Sequence, residues 1–228
     1  LVGRRNIGDA YIGLNPHFNF RDIDVLGVGP VARQASSVFD VFWNSGWVIT
    51  ADPSTQVEAE GIYETQRLAL KQELKQSETL AQFSLVARSW ETEFNALTPL
   101  LHLGHSEVVT DRPDSDGISN EVFDWVMENL PEVQQDLLVT NAYLIPGPEG
   151  VAMLDDLVTG GAEVTIHTNS LASQDVAAVN SHYKAWRKPI LASGASLFEA
   201  RHDAAIKQSR VDTKPVSARY MGLHSKSL

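Results

Sequence analysis

The sequence predicts an α/β protein with a largely parallel or mixed sheet flanked by helices on both faces. Three observations carry that expectation. From Glu121 onward, segments of helical period alternate with short apolar segments of strand length, as in crossover units. Breakers fall between the segments, at Pro131, Gly160-Gly161 and Pro189. The 43% hydrophobic and 21% charged fractions of the 228 residues are those of an ordinary globular chain, long enough for a sizeable core.

The elements follow in order. Leu1-Val2-Gly3 opens as a short strand, and the polar run to Asn6 and Gly8 reads as a tight turn facing a site. Residues 21–29 alternate loosely before Gly29-Pro30 and are expected to form a strand, with Asp22 and Asp24 on one face. Val31, Ala35, Val38, Phe39 and Phe42 recur at helical spacing, which predicts an amphipathic helix over 31–44 with Trp43 and Trp47 as core anchors. From Asp52 to Leu101 the period is helical: Asp52-Pro53-Ser54 offers a start, and Thr65 to Gln82 is rich in helix formers. Lys71, Glu73, Lys75 and Glu78 read as a solvated face.

His102-Leu103-Gly104-His105 reads as a loop histidine pair rather than a metal site. A strand at Glu107-Val108-Val109-Thr110 and an acidic turn from Asp111 to Gly117 follow. Next come a helix over 121–130, a strand over 136–145, a helix over 148–159 and a strand from Glu163 to His167. A helix over 175–188 is expected to kink or stop at Pro189, before a strand from Ser196 to Glu199 and an exposed loop to Pro215. In such a fold functional groups gather at strand carboxyl ends. Tyr143, Thr168, Asn169 and Ser170 lie there, although turn and capping chemistry accounts for the same residue types.

Composition removes several classes of function. With no cysteine, disulfides and thiolate zinc sites are excluded. A net charge of -11 opposes non-specific nucleic-acid binding and flat adsorption on anionic lipid. No run approaches the ~20 apolar residues of a membrane span.

The chemistry concentrates in Met221-Gly222-Leu223-His224-Ser225-Lys226-Ser227-Leu228. Strand alternation places His224 and Lys226 on one face. An imidazole beside an ammonium suits attack on a phosphodiester: one is a nucleophile or proton carrier, the other holds phosphoryl oxygens as charge builds.

His224-Ser225-Lys226-Ser227 resembles the start of a His-x-Lys-(x)4-Asp signature of the phospholipase D superfamily. The opening Gly3-Arg4-Arg5-Asn6-Ile7-Gly8-Asp9-Ala10-Tyr11 resembles the tail of a first copy, as it occurs in bacterial cardiolipin synthases of the C type. Phe20 to Val31, Phe39 to Ser45, Asn141 to Val151 and Thr168 to Asp175 are similar to further blocks of those enzymes. The resemblance covers nearly the whole chain. It implies a phospholipase D-like fold incomplete at both ends, a fragment lying between two signatures. Residues 1–50 would close a first domain, 51–104 connect, and 105–228 supply most of the N-terminal part of a second.

The same resemblance implies a phosphatidyltransferase that makes cardiolipin. One histidine would form a phosphohistidine and another would protonate the leaving alcohol, with no cofactor and no metal. The catalytic positions that match are His224, Lys226 and Asn6, and Asp24 stands where an acid orients the catalytic histidine of the first signature, which this chain does not hold, or is a capping or solvated acid at a strand edge. Gly3, Tyr143, Asn169 and Ser170 are expected at the substrate. Arg4 departs from a glycine of the pattern. Implied partners are phosphatidylglycerol, phosphatidylethanolamine and a membrane surface, with no nucleic acid, at a bacterial inner membrane and attached peripherally or by a segment outside this chain. The isolated chain, holding one His-x-Lys, is expected to be inactive. The alternatives are a phospholipid hydrolase of the same family and a degenerate module without catalysis.

Overall fold

The computed structural model describes residues 2–3, 5–49, 59–77, 81, 89–114 and 117–228. These residues group as two compact units, one made of Leu1–Val28 with Asn120–Leu228 and the other of Gly29–Ser119.

The first unit carries the α/β architecture. Strands β1 (Val2–Gly3), β2 (Phe18–Arg21) and β3 (Asp24–Val25) come from the beginning of the chain. In the second unit lie α1 (Pro30–Trp43), α2 (Ala59–Gln76), α3 (Trp90–Leu97) and the two-residue strands β4 (Pro113–Asp114) and β5 (Gly117–Ile118). The first unit resumes with α4 (Glu121–Asn129), β6 (Asp136–Asn141), α5 (Gly147–Thr159), β7 (Glu163–Asn169), α6 (Ala177–Ala192) and β8 (Ser196–Ala200). The short α7 (Lys207–Arg210), β9 (Tyr220–Leu223) and β10 (Lys226–Ser227) complete it.

The main sheet has the order β10-β6-β7-β8, with β6, β7 and β8 parallel and β10 antiparallel at one edge. The mixed α/β class read from the sequence is the class observed. Its origin is visible in the burial of alternate residues: Leu137, Val139, Val164 and Ile166 point into one face, while Leu138 points away and is 53% exposed. The buried face meets Leu154 and Leu157 of α5 and Tyr183 and Ile190 of α6 in one apolar cluster. Ile166 is 1% exposed, so its burial alone is worth about 1.5–3 kcal/mol.

Helix α5 stops where the sequence places its glycines. Ala162 N–H donates to Leu157 O at 3.0 Å and Gly161 N–H to Val158 O at 3.0 Å, with Gly161 at φ 98°. This Schellman closure needs a left-handed residue, which glycine adopts without strain.

Several expectations are corrected. The strand placed at 21–29 lies earlier, at Phe18–Arg21, with the two-residue β3 after it. Residues 107–110 form no strand, and the extended pairing in that region is the hairpin of β4 with β5. Helix α6 runs through Pro189 to Ala192. A proline so near a helix end removes a single backbone bond, to Ala185 O, and the last turn continues. Trp43 and Trp47 are 57% and 59% exposed rather than core anchors, and Trp43 stacks on Phe39 at 5.7 Å. The expected helix start at Asp52-Pro53-Ser54 and the departure at Arg4 lie outside the described residues.

Candidate active site

The site forms where two parallel strands from opposite ends of the chain end side by side. Strand β2 pairs with β9, with Phe18 opposite Tyr220 and Arg21 opposite Leu223. One residue beyond each strand the side chains turn toward each other. His224 Nδ1 and Asp22 Oδ2 are 2.8 Å apart, and Asp22 is 2% exposed. The backbone reinforces the register, because His224 N–H donates to Arg21 O at 2.9 Å. Asp22 Oδ1 also accepts from Ile23 N–H at 3.0 Å. When the carboxylate accepts from Nδ1–H, a neutral imidazole keeps its lone pair on Nε2.

Aromatic rings wall the imidazole. Tyr11 meets it edge-on at 5.1 Å, Phe20 tilts at 5.4 Å, and Tyr143 presents an edge at 6.1 Å. Tyr11 itself stacks on Phe20 at 4.7 Å. The ring of His224 is thus buried on most sides, with the residue 9% exposed.

Lys226 joins the same group through Tyr143. Its Nζ lies 4.7 Å from the centre of the Tyr143 ring and donates to His224 O at 2.6 Å. His224 and Lys226 do not share one continuous strand, so the alternation expected of them does not apply. Strand β9 ends at Leu223 against β2, and pairing resumes with β6 at Lys226, opposite Asn141. A cation over an aromatic face contributes about 0.5–2 kcal/mol, depending on desolvation.

Tyr143 is held at its far end by Asp175, whose two carboxylate oxygens accept from the phenol at 3.2 and 3.1 Å. Burial first, and then the Asp175 charge, push the phenol up to about 12. Asp175 does not cap the helix after it. Instead α6 begins with Val176 at its N-cap and has no side-chain cap.

The remaining expected site residues are placed as follows. Asn169 is 1% exposed, and its amide is bonded to the chain itself: Nδ2 donates to Leu223 O at 2.8 Å and Ala142 O at 3.3 Å, while Oδ1 accepts from Leu223 N–H at 2.8 Å and Ser173 Oγ at 3.0 Å. Ser170 faces Ser173, with their hydroxyl oxygens 3.2 Å apart. Asp24 forms an ion pair with Arg5, and it is Asp22 that meets the histidine. Gly3 lies opposite Asp24 in β1–β3, where a Cβ would stand 2.0 Å from Asp24 Oδ1. Gly3 therefore permits a close approach of this side chain. Asn6 is exposed, and among the described residues it makes no hydrogen bond to His224 or Lys226.

Sequence reasoning assigned no acid to His224, because Asp22 lies 202 positions away and the strand ahead of it was placed at 21–29. With β2 ending at Arg21, the acid just past the carboxyl end is Asp22. Tyr11 and Phe20 were also missed; their spacing gave no sign that they meet one imidazole. Among the described residues there is no group of three or more side chains suited to a metal ion, and no helix is long and apolar enough to cross a membrane.

Comparison with known proteins adds the following. No family model matches the chain, and no solved structure matches it. Cardiolipin synthase C of Escherichia coli is 30% identical over 217 residues, covering 88% of this chain and 43% of that protein. An uncharacterised protein of one Helicobacter pylori strain is 25% identical over 222 residues, and its counterpart in a second strain is 24% identical over 222. Each match covers 94% of this chain and 44% of the relative. The chain thus spans less than half the length of the curated relatives it matches. Taken over 88% of the chain, the relationship is a distant, cardiolipin synthase-like one.

Proposed function

We propose that this site belongs to a phospholipid-modifying enzyme that transfers a phosphatidyl group and makes cardiolipin. The observation that carries the reading is the Asp22–His224 pair with Lys226 alongside. An imidazole whose Nδ1–H is held by a carboxylate offers Nε2 as nucleophile toward phosphorus. The ammonium of Lys226 stabilises the nonbridging oxygens as the transition state gains charge. The bond from phosphorus to the leaving alcohol oxygen breaks as the nitrogen–phosphorus bond forms, and an acceptor hydroxyl then takes the phosphatidyl group from His224. Asn6 and Gly3, from the opening turn, are proposed to complete the pocket for the phosphate. Phosphatidylglycerol and phosphatidylethanolamine are the proposed substrates, at the surface of a bacterial inner membrane.

One imidazole cannot both attack phosphorus and protonate the leaving alcohol in the same step. The 228-residue chain by itself is therefore proposed to lack turnover.

The test is genetic and chemical. His224→Ala introduced into the protein in its own cell should lower cardiolipin content. Extracts given phosphatidylglycerol should form cardiolipin only with His224 intact. Phosphatidic acid as the His224-dependent product would replace the transferase by a hydrolase. Unchanged cardiolipin and no His224-dependent product would end the reading and leave a module without catalysis. His224-dependent turnover by the purified chain would overturn its proposed inactivity.

A further inference from the structure

The strand pairing around His224 is discontinuous, and one side chain bridges the gap. Strand β9 ends at Leu223 with β2 on one side, and β10 begins at Lys226 against β6. The peptide groups of Leu223 that face away from β2 have no strand to meet. The amide of Asn169, at the end of β7, stands in that place. It accepts from Leu223 N–H and donates to Leu223 O, both at 2.8 Å, which is the pair of bonds a neighbouring strand would make. Only a carboxamide offers a neutral donor and acceptor in the geometry of a peptide. The amide also accepts from Ser173 Oγ at 3.0 Å and donates to Ala142 O at 3.3 Å.

We infer that Asn169 is a positioning residue for His224: its amide serves as a single strand rung that fixes the peptide ahead of the imidazole and so keeps Nδ1 on Asp22. The functional weight of this inference rests on the reading of His224 as the reacting group; the geometry does not. Without the rung, the Leu223–His224 peptide rotates and carries the ring off the carboxylate. Asparagine at this position is thereby distinguished from aspartate. Aspartate accepts from Leu223 N–H but sets a second carboxylate oxygen against the carbonyls of Leu223 and Ala142.

The experiment follows the imidazole by NMR in the 228-residue chain with labelled histidine. The Nδ1–H held by Asp22 should give a downfield, slowly exchanging proton, assigned by its loss in Asp22→Asn. Asn169→Ala and Asn169→Asp should each lose that signal and give a mixture of imidazole tautomers. Ser173→Ala keeps both Leu223 bonds and should retain it. In the unsubstituted chain the Leu223 amide should exchange at least ~100-fold more slowly than that of Gly104 in an exposed loop. An unchanged imidazole signal in either folded Asn169 variant, or a Leu223 amide exchanging as fast as Gly104, overturns the inference. Should Asn169→Ala fail to fold, the aspartate variant and the exchange measurement decide. Phosphorylation by phosphoramidate tests the chemical reading separately. If His224 is not modified ahead of the exposed His105 and His182 while the signals behave as expected, the positioning stands and the chemistry falls.

Discussion

Asp22→Asn is the most informative perturbation of the site. The substitution keeps side-chain volume and, with the amide oxygen in the place of Oδ1, the acceptor that Ile23 N–H uses at 3.0 Å. What changes is the atom 2.8 Å from His224 Nδ1, where an acceptor becomes a donor. Two responses are open. The imidazole keeps Nδ1–H against another donor and loses a charge-assisted bond worth about 1.5–3 kcal/mol. Alternatively the proton moves to Nε2, which restores the bond and removes the lone pair from the reacting side. The second response costs less folding free energy, so stability should fall by about 1 kcal/mol or less. The reactivity of Nε2 should fall far more, roughly 10–100-fold if 1.4–2.8 kcal/mol of preorganisation is lost. The assay is the rate of His224 phosphorylation by phosphoramidate, followed by phosphorus NMR, beside a urea melt. A variant phosphorylated at the unsubstituted rate, with its imidazole protons unmoved, would refute the argument that the carboxylate sets the tautomer.

Three other outcomes follow from the packing. Two of the five tyrosines, Tyr143 and Tyr183, are pushed up to about 12, chiefly by burial and then by Asp175 and Glu199. A raised folded-state value means their contribution to stability is intact below about 10 and is lost as pH rises through about 12. A spectrophotometric titration should show a late phase that Tyr143→Phe and Tyr183→Phe each diminish. Gly222→Ala would place a Cβ 2.4 Å from Ser173 O and 2.6 Å from Phe18 Cζ, and should destabilise by about 1–3 kcal/mol in a urea melt as β9 shifts. Glu199→Ala removes the acceptor, 2.8 Å away, of the Tyr183 hydroxyl, on a residue 2% exposed, and should cost about 1–3 kcal/mol. Combining it with Tyr183→Phe should cost less than the sum, because neither partner then remains unsatisfied.

What the sequence disclosed, and what it withheld, follows a physical division. Helices and strands from Glu121 to Ala200 were legible because their burial is local and periodic: Leu137, Val139, Val164 and Ile166 write the sheet into the chain. The pairing of β2 with β9 joins residues about two hundred positions apart and leaves no periodic trace. His224 and Lys226 were legible as chemistry because imidazole and ammonium lie two residues apart. Asp22 was not legible as a partner of His224, since the strand it follows ends at Arg21 rather than at 29 and the two residues stand 202 positions apart. Asn169 reads in the sequence either as a group facing substrate or as ordinary turn chemistry. Its side chain instead completes backbone hydrogen bonding, a role that carboxamides take wherever peptides lack partners, and residue type alone does not separate the two.

The imidazole and its carboxylate stand 202 positions apart in the sequence, which bears on when the pair can form. During synthesis the opening segment emerges early and waits, with Asp22 lacking the ring that will cover it. Until residues 220–224 leave the ribosome and dock, Asp22 lacks the imidazole that pairs with it. The bond between ring and carboxylate would therefore form in one late event, when distant segments of the chain meet.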